Sequence, residues 1–119
     1  MHDPTEGGLA TGLFELVAPA SLGFWVIREH IPVFPETSTI CSALALDPLR
    51  LIASGALLIA VAPDGADSVR MAIEATGVPV VMIGEVRSSN EGTTIVTNGA
   101  VEPLAPPLRD EIARAFGEF

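Results

Sequence analysis

The sequence predicts an α+β domain: a small mixed four-stranded sheet with helices packed on it. Three observations carry that reading. Four runs of strand length are rich in apolar and β-branched residues, several other segments space their apolar residues as a helix does, and residues 56–86 read as strand, helix and strand. Such a unit of about 30 residues ordinarily joins parallel strands by a right-handed crossover, here in a partly ferredoxin-like arrangement. Alternation of helix and strand is incomplete along the chain, which favours α+β over a doubly wound sheet.

The first helix is expected over 5–18, because Leu9, Leu13, Leu16 and Val17 fall on one helical stripe. Asp3 reads as its N-cap, Pro4 as its first residue and Glu6 as the partner in a capping box, with Pro19 closing it. Residues 23–29 are β-rich, with Phe24 and Val26 on one face and Trp25 and Ile27 on the other. Pro32 and Pro35 mark a loop. Pro35-Glu36 opens a short helix to Leu44, and Asp47-Pro48 opens another to Ala53 that Gly55 ends. Residues 57–61 are nearly continuously apolar, as in a strand covered on both faces.

Pro63-Asp64-Gly65 is a turn, followed by a helix over 66–76 with Gly77 beyond its C-terminus. Residues 78–86 form the third expected strand and 88–92 a hairpin-type connection. The fourth strand, 93–97, alternates with more polar residues, which points to an edge. Asn98-Gly99 is first of all a turn. In the last helix Leu108, Ile112, Ala115 and Phe116 are expected to be buried, and Arg109, Asp110, Glu111 and Arg114 to be solvated.

The chain has 119 residues, one domain's length, with 15 acidic residues against 6 basic ones, a formal net charge of -9. All the basic residues are arginines. No basic stripe exists to bind a nucleic-acid backbone or an anionic membrane. Without lysine there is no P-loop lysine and no Schiff base, so cations for phosphate chemistry must come from a metal or from another chain. Cys41 is the single cysteine, which excludes an intrachain disulfide and suits a reducing cytosol; it reads as a buried, inert thiol. Two histidines and one cysteine make no zinc set. The longest apolar run, 56–62, falls far short of the ~20 residues of a membrane helix.

Residues 2–10 are the most informative stretch. They are a well-made helix start, and they also have the features of an anion site. Gly7 and Gly8 let backbone approach a ligand, and the first N–H groups of a helix point outward. Asp3 and Glu6 would repel a bare phosphate but accept one carried with Mg²⁺, with Asp3 as a metal ligand. Ser54-Gly55 precedes an expected buried strand, a common place for a site in open sheets, and is otherwise a helix stop. Glu36, Glu85 and Trp25 have ordinary structural readings.

His2-Asp3-Pro4-Thr5-Glu6-Gly7-Gly8-Leu9-Ala10-Thr11 closely resembles the start of the carboxy-terminal domain in the PurM-like superfamily. That superfamily includes aminoimidazole ribonucleotide (AIR) synthetase, selenophosphate synthetase, thiamine monophosphate kinase and the hydrogenase expression/formation (HypE-type) proteins. Leu46-Asp47-Pro48-Leu49 with Ser54-Gly55-Ala56-Leu57-Leu58 resembles the family's middle segment, and Ile83-Gly84-Glu85-Val86 its glycine-containing strand end. The segments occur in the family's order along the whole chain.

The resemblance implies a PurM C-terminal domain-like fold within a two-domain, cytoplasmic, homo-oligomeric enzyme that uses ATP and Mg²⁺ to activate a substrate oxygen. It implies that an N-terminal ATP-binding domain, absent from these 119 residues, is the partner. Asp3, Thr5, Gly7, Gly8, Ser54 and Gly55 would then face the nucleotide, Asp3 would meet the metal, and no residue of this chain would be catalytic by itself. Two departures stand out. Glu6 replaces an arginine usual in HypE-type proteins, and the terminal cysteine of those proteins is missing, which argues against cyanide-ligand synthesis. A non-enzymatic dimerisation module and a small anion-binding domain are the alternatives.

Overall fold

The computed structural model describes residues 1–107 and 109–117. Its centre is a mixed four-stranded sheet of β1 (Gly23–Ile27), β2 (Gly84–Arg87), β3 (Thr93–Thr97) and β4 (Ala100–Pro103), ordered β2-β1-β3-β4. β1 runs antiparallel to β2 and parallel to β3, and β3 runs antiparallel to β4. Period-two alternation decides the faces. Phe24, Val26 and Ile95 point to one side, where they are almost wholly buried against Ala10, Leu13 and Val17 of α1 (Gly8–Val17). The Phe14 and Phe24 rings meet edge to face at 5.2 Å, the favoured geometry for two aromatic quadrupoles. On the other side the Arg87 guanidinium lies 4.7 Å above the Trp25 ring.

The remaining helices are α2 (Pro35–Leu44), α3 (Ala66–Glu74) and α4 (Glu111–Ala115). Among the described residues no helix is long and apolar enough to cross a membrane. Cys41 is buried on α2, and burial, with Asp47 and Glu111 adding to it, pushes its thiol pKa up, so the inert reading fits.

The sheet has the expected size and mixed character, but two of its strands differ from expectation. Residues 57–61 form no strand; they contribute only the isolated bridge between Leu58 and His2. Of the run 78–86, only the last part enters β2. The parallel pair is β1 with β3, so the crossover expected over 56–86 is absent. The physical reason is that β1 already has a neighbour on each side, and the apolar runs find no free edge there. Leu57, Val61, Val78, Val81 and Met82 consequently stay exposed.

The other corrections are local. β3 is an interior strand, because Asn98 (φ 50) and Gly99 (φ 81) form a two-residue turn of the primed type that returns the chain as β4. Its hydroxyls are satisfied rather than solvated: Thr93 donates to Leu104 O at 3.0 Å, and Thr97 accepts from Arg28 Nε at 3.2 Å. The 88–92 connection is no hairpin, since β2 and β3 flank β1. The helix expected over 48–53 is a single 3-10 turn, Pro48–Arg50, capped by Asp47. α1 starts at Gly8, so Asp3 is not its N-cap; Gly7 holds that position without a side-chain bond. Ile112 and Phe116 are exposed and Asp110 is buried, the reverse of the expected stripe; Leu108 lies outside the described residues.

Two outcomes follow. Ile95→Ala should cost about 2–5 kcal/mol in urea unfolding, because a fully enclosed side chain leaves a cavity. Glu29 accepts from the Asn98 N–H at 2.6 Å, and that bond holds its carboxyl below the ordinary 4.5. A depressed folded pKa stabilises above the unfolded value and is lost as pH falls through the folded one. The Asn98 amide shift should therefore titrate below pH 4.5, together with the Glu29 carboxyl carbon.

Candidate functional site

The chain turns into α1 through two consecutive glycines in left-handed backbone, Gly7 at φ 79 and Gly8 at φ 67. Other residues rarely adopt that conformation. Space imposes a second constraint at Gly8: a methyl there would stand 2.6 Å from Leu49 O and nearer still to Leu51 O. The loop is thus pressed against the backbone of 49–51. It is stitched to the following residues as well. Thr5 O accepts from Gly8 N–H at 3.1 Å and from Ala53 N–H at 3.3 Å, and His2 and Leu58 exchange N–H···O bonds at 2.8 Å each way. Pro4 is fully buried beneath the turn.

A carboxylate from the far end of the chain completes the loop. Asp110 accepts from Gly7 N–H at 2.6 Å, from Ile52 N–H at 3.2 Å and from Ile112 N–H at 2.9 Å. Over this junction opens a shallow cavity of about 180 Å³ lined by Glu6, Gly7, Thr11, Pro107, Arg109 and Asp110. Arg109 is exposed there. Among the described residues it alone of the arginines has no ion pair or hydrogen bond; Arg28 and Arg50 pair with Asp47, Arg70 with Asp67 and Glu74, Arg87 with Glu85, and Arg114 with Glu111.

The residues singled out from the sequence are placed as follows. Gly7 lines the cavity. Gly8 is buried just behind it, and Asp3 and Thr5 are exposed on the loop. Ser54 and Gly55 are exposed and follow directly on Ala53, so backbone pairing lays the two candidate segments side by side. Among the described residues no group of three or more His, Cys, Asp or Glu is placed to hold a metal. A metal that meets Asp3 would therefore take most of its ligands from elsewhere, as a Mg²⁺ that arrives coordinated by phosphate and water does. Thr11, Arg109 and Asp110 were not foreseen as site residues. The cap of α4 by Asp110 is a local pattern that the sequence carries, but nothing in it signals a bond spanning 103 positions. A second cavity, of about 220 Å³, lies between α2 and α4 near Cys41 and Phe116; its walls are nearly all apolar and offer no chemistry.

Comparison with known proteins places this geometry in context. The family model described as AIR synthase related protein, C-terminal domain, matches residues 1–97. Carbamoyl dehydratase HypE of Rhizobium leguminosarum bv. viciae is 43% identical over 88 residues, which cover 72% of this chain and 25% of that protein. The crystal structure of E. coli HypE, a hydrogenase maturation protein, superposes with a TM-score of 0.81 at 29% identity, over 95% of this chain and 36% of that one. A HypE structure in complex with ATP gives 0.80 at 28% identity, over 90% of this chain and 35% of that one. The chain thus spans about a quarter to a third of the length of these relatives.

The packing of the glycine loop predicts a contrast. Gly8→Ala meets rigid backbone carbonyls, whereas Gly55→Ala at φ 95 meets open space. Both bear the cost of a left-handed alanine, about 1–2 kcal/mol. Gly8→Ala should lower the urea midpoint clearly more than Gly55→Ala, and equal midpoints would contradict the tight placement of the loop.

Proposed function

Because the chain belongs to the family of AIR synthase related protein C-terminal domains, we propose that it is one part of an ATP-dependent enzyme and turns its glycine loop toward the nucleotide. The observation that carries this reading is the cavity at Gly7, where a tightly held glycine turn meets an arginine with no ion-pair partner among the described residues. The existence of a HypE–ATP complex on the same fold supports it. Gly7, Gly8 and Thr5 form the backbone wall of the proposed site, with Ser54 and Gly55 beside it. Asp3, exposed on the same loop, would meet the Mg²⁺ that accompanies the phosphates. Nucleotide and metal are otherwise held by an N-terminal domain, and the assembled enzyme is a cytoplasmic homo-oligomer.

ATP supplies a phosphoryl group that makes a poor oxygen leaving group a good one. This chain's contribution is to cover the site and place charge. Glu6 brings a negative charge to the loop, so a phosphate approaching it depends on Arg109 for its countercharge. Relatives named carbamoyl dehydratase bring a carboxamide-type oxygen forward as the activated atom, against the expectation drawn from the missing terminal cysteine. One observation favours the alternative of an interaction module: the apolar side chains of Leu57, Met71, Val81 and Met82 are exposed on one stretch of chain.

Titrating the isotope-labelled chain with MgATP tests the proposal. The expected result is chemical-shift change at the amides of residues 5–8 and 11, with binding weakened about tenfold in Arg109→Ala, as for loss of one charge-assisted bond. The chain alone should release no phosphate from ATP. Shift changes confined to other regions, or steady ATP hydrolysis by the purified chain, would overturn it.

A further inference from the structure

We infer that Asp110 is the positioning residue of the glycine loop, holding it in place from a segment that lies beyond the residues matched by the family model. The residue is 7% exposed, and its carboxylate accepts three backbone N–H groups from three parts of the chain. Oδ2 takes Gly7 N–H at 2.6 Å. Oδ1 takes Ile52 N–H at 3.2 Å and Ile112 N–H at 2.9 Å.

An ordinary helix cap explains only the last of these bonds. A carboxylate that merely capped α4 would need one oxygen and would leave the other in water. Here the second oxygen is turned inward onto the start of α1. The N–H of the N-cap residue Gly7 needs it, because the N3 position is Ala10, whose side chain cannot reach back to accept it. Asp110 supplies, across 103 positions of sequence, the acceptor for the N-cap N–H that a glutamate or glutamine at N3 supplies in a capping box. The same carboxylate binds the 51–53 stretch, whose carbonyl at Leu51 bears on Gly8. Both walls of the glycine turn are therefore referred to one group.

The arrangement has a consequence for recognition. The Gly7 N–H is engaged by an internal anion, so it is not the group that meets a bound phosphate. The side chains of Arg109 and Thr11, in the same cavity, are left to do so. Asp110 thus sets the loop's shape, and its neighbour Arg109 presents charge to the ligand. The positioning role itself holds without any nucleotide; only the step from loop shape to ligand rests on the function proposed above.

Residue-resolved amide hydrogen exchange on the 119-residue chain tests the inference. In Asp110→Ala the Gly7 and Ile52 amides should exchange about tenfold faster or more, with Val26 and Ile95 at wild-type rates. Asp110→Asn keeps an oxygen acceptor and should recover part of the protection at both amides. Wild-type exchange at Gly7 and Ile52 in Asp110→Ala would overturn the inference. If Asp110→Ala accelerates exchange everywhere, the wild-type chain decides. A through-hydrogen-bond scalar coupling between the Gly7 nitrogen and the Asp110 carboxyl carbon supports the inference, and its absence overturns it. MgATP added to the wild-type chain separates the two readings. Silence of the loop amides would defeat the nucleotide reading and leave the role of Asp110 intact.

Discussion

The N–H of Gly7, at the entrance to α1, has no acceptor nearby in the sequence and finds one 103 positions away. Much of the domain is arranged around that deficit. Two glycines in left-handed backbone let the chain enter the helix at an angle a bulkier residue would not reach. The close approach this allows brings the loop onto the carbonyls of Leu49 and Leu51. The Gly7 N–H is taken by Asp110, whose carboxylate is stabilised in a buried place by three N–H groups instead of a cation. A short C-terminal helix with few buried side chains is thereby tied to the sheet-bearing part of the molecule.

Charge follows the same economy. With a net charge of -9 and only arginine as the cation, most guanidinium groups are drawn to a nearby carboxylate. Such exposed or half-exposed pairs each contribute little to stability. Their effect is rather to leave Arg109 as the unpaired arginine among the described residues, beside the glycine loop and opposite Glu6. The site is accordingly not a positive pocket. It is a place where one cation and one carboxylate face a common space, suited to a ligand that brings its own metal.

The stretch from 57 to 83 shows how sequence patterns mislead when their context is missing. Leu57, Val61, Val78 and Val81 belong to runs that resemble doubly covered strands, yet all are exposed. A strand pattern states that side chains are apolar on both faces; it does not state what covers them. β1 is already flanked by β2 and β3, so these runs cannot pair with it, and they do not extend the sheet at β2 or β4 either. The polar residues of 93–97 mislead in the opposite sense. Thr93 and Thr97 look like an edge, but their hydroxyls find partners in adjoining segments, which makes an interior strand tolerable.

Taken alone, the sequence determined the α+β class, the stripe of α1, the β1 and β3 runs, the Asn98-Gly99 turn, the burial of Cys41 and the unusual backbone at Gly7 and Gly8. Each of these rests on spacing, turn chemistry or backbone permissiveness within a few residues, and such signals survive in one dimension. The resemblance of the same stretch to a known family was legible for the same reason. Tertiary structure decided the order of the strands, the start of α1 at Gly8 and the pairing of Gly7 with Asp110. Those outcomes depend on which distant segments share a surface. A carboxylate just before a helix start looks alike in sequence whether it caps that helix alone or also holds a loop at the other end of the chain.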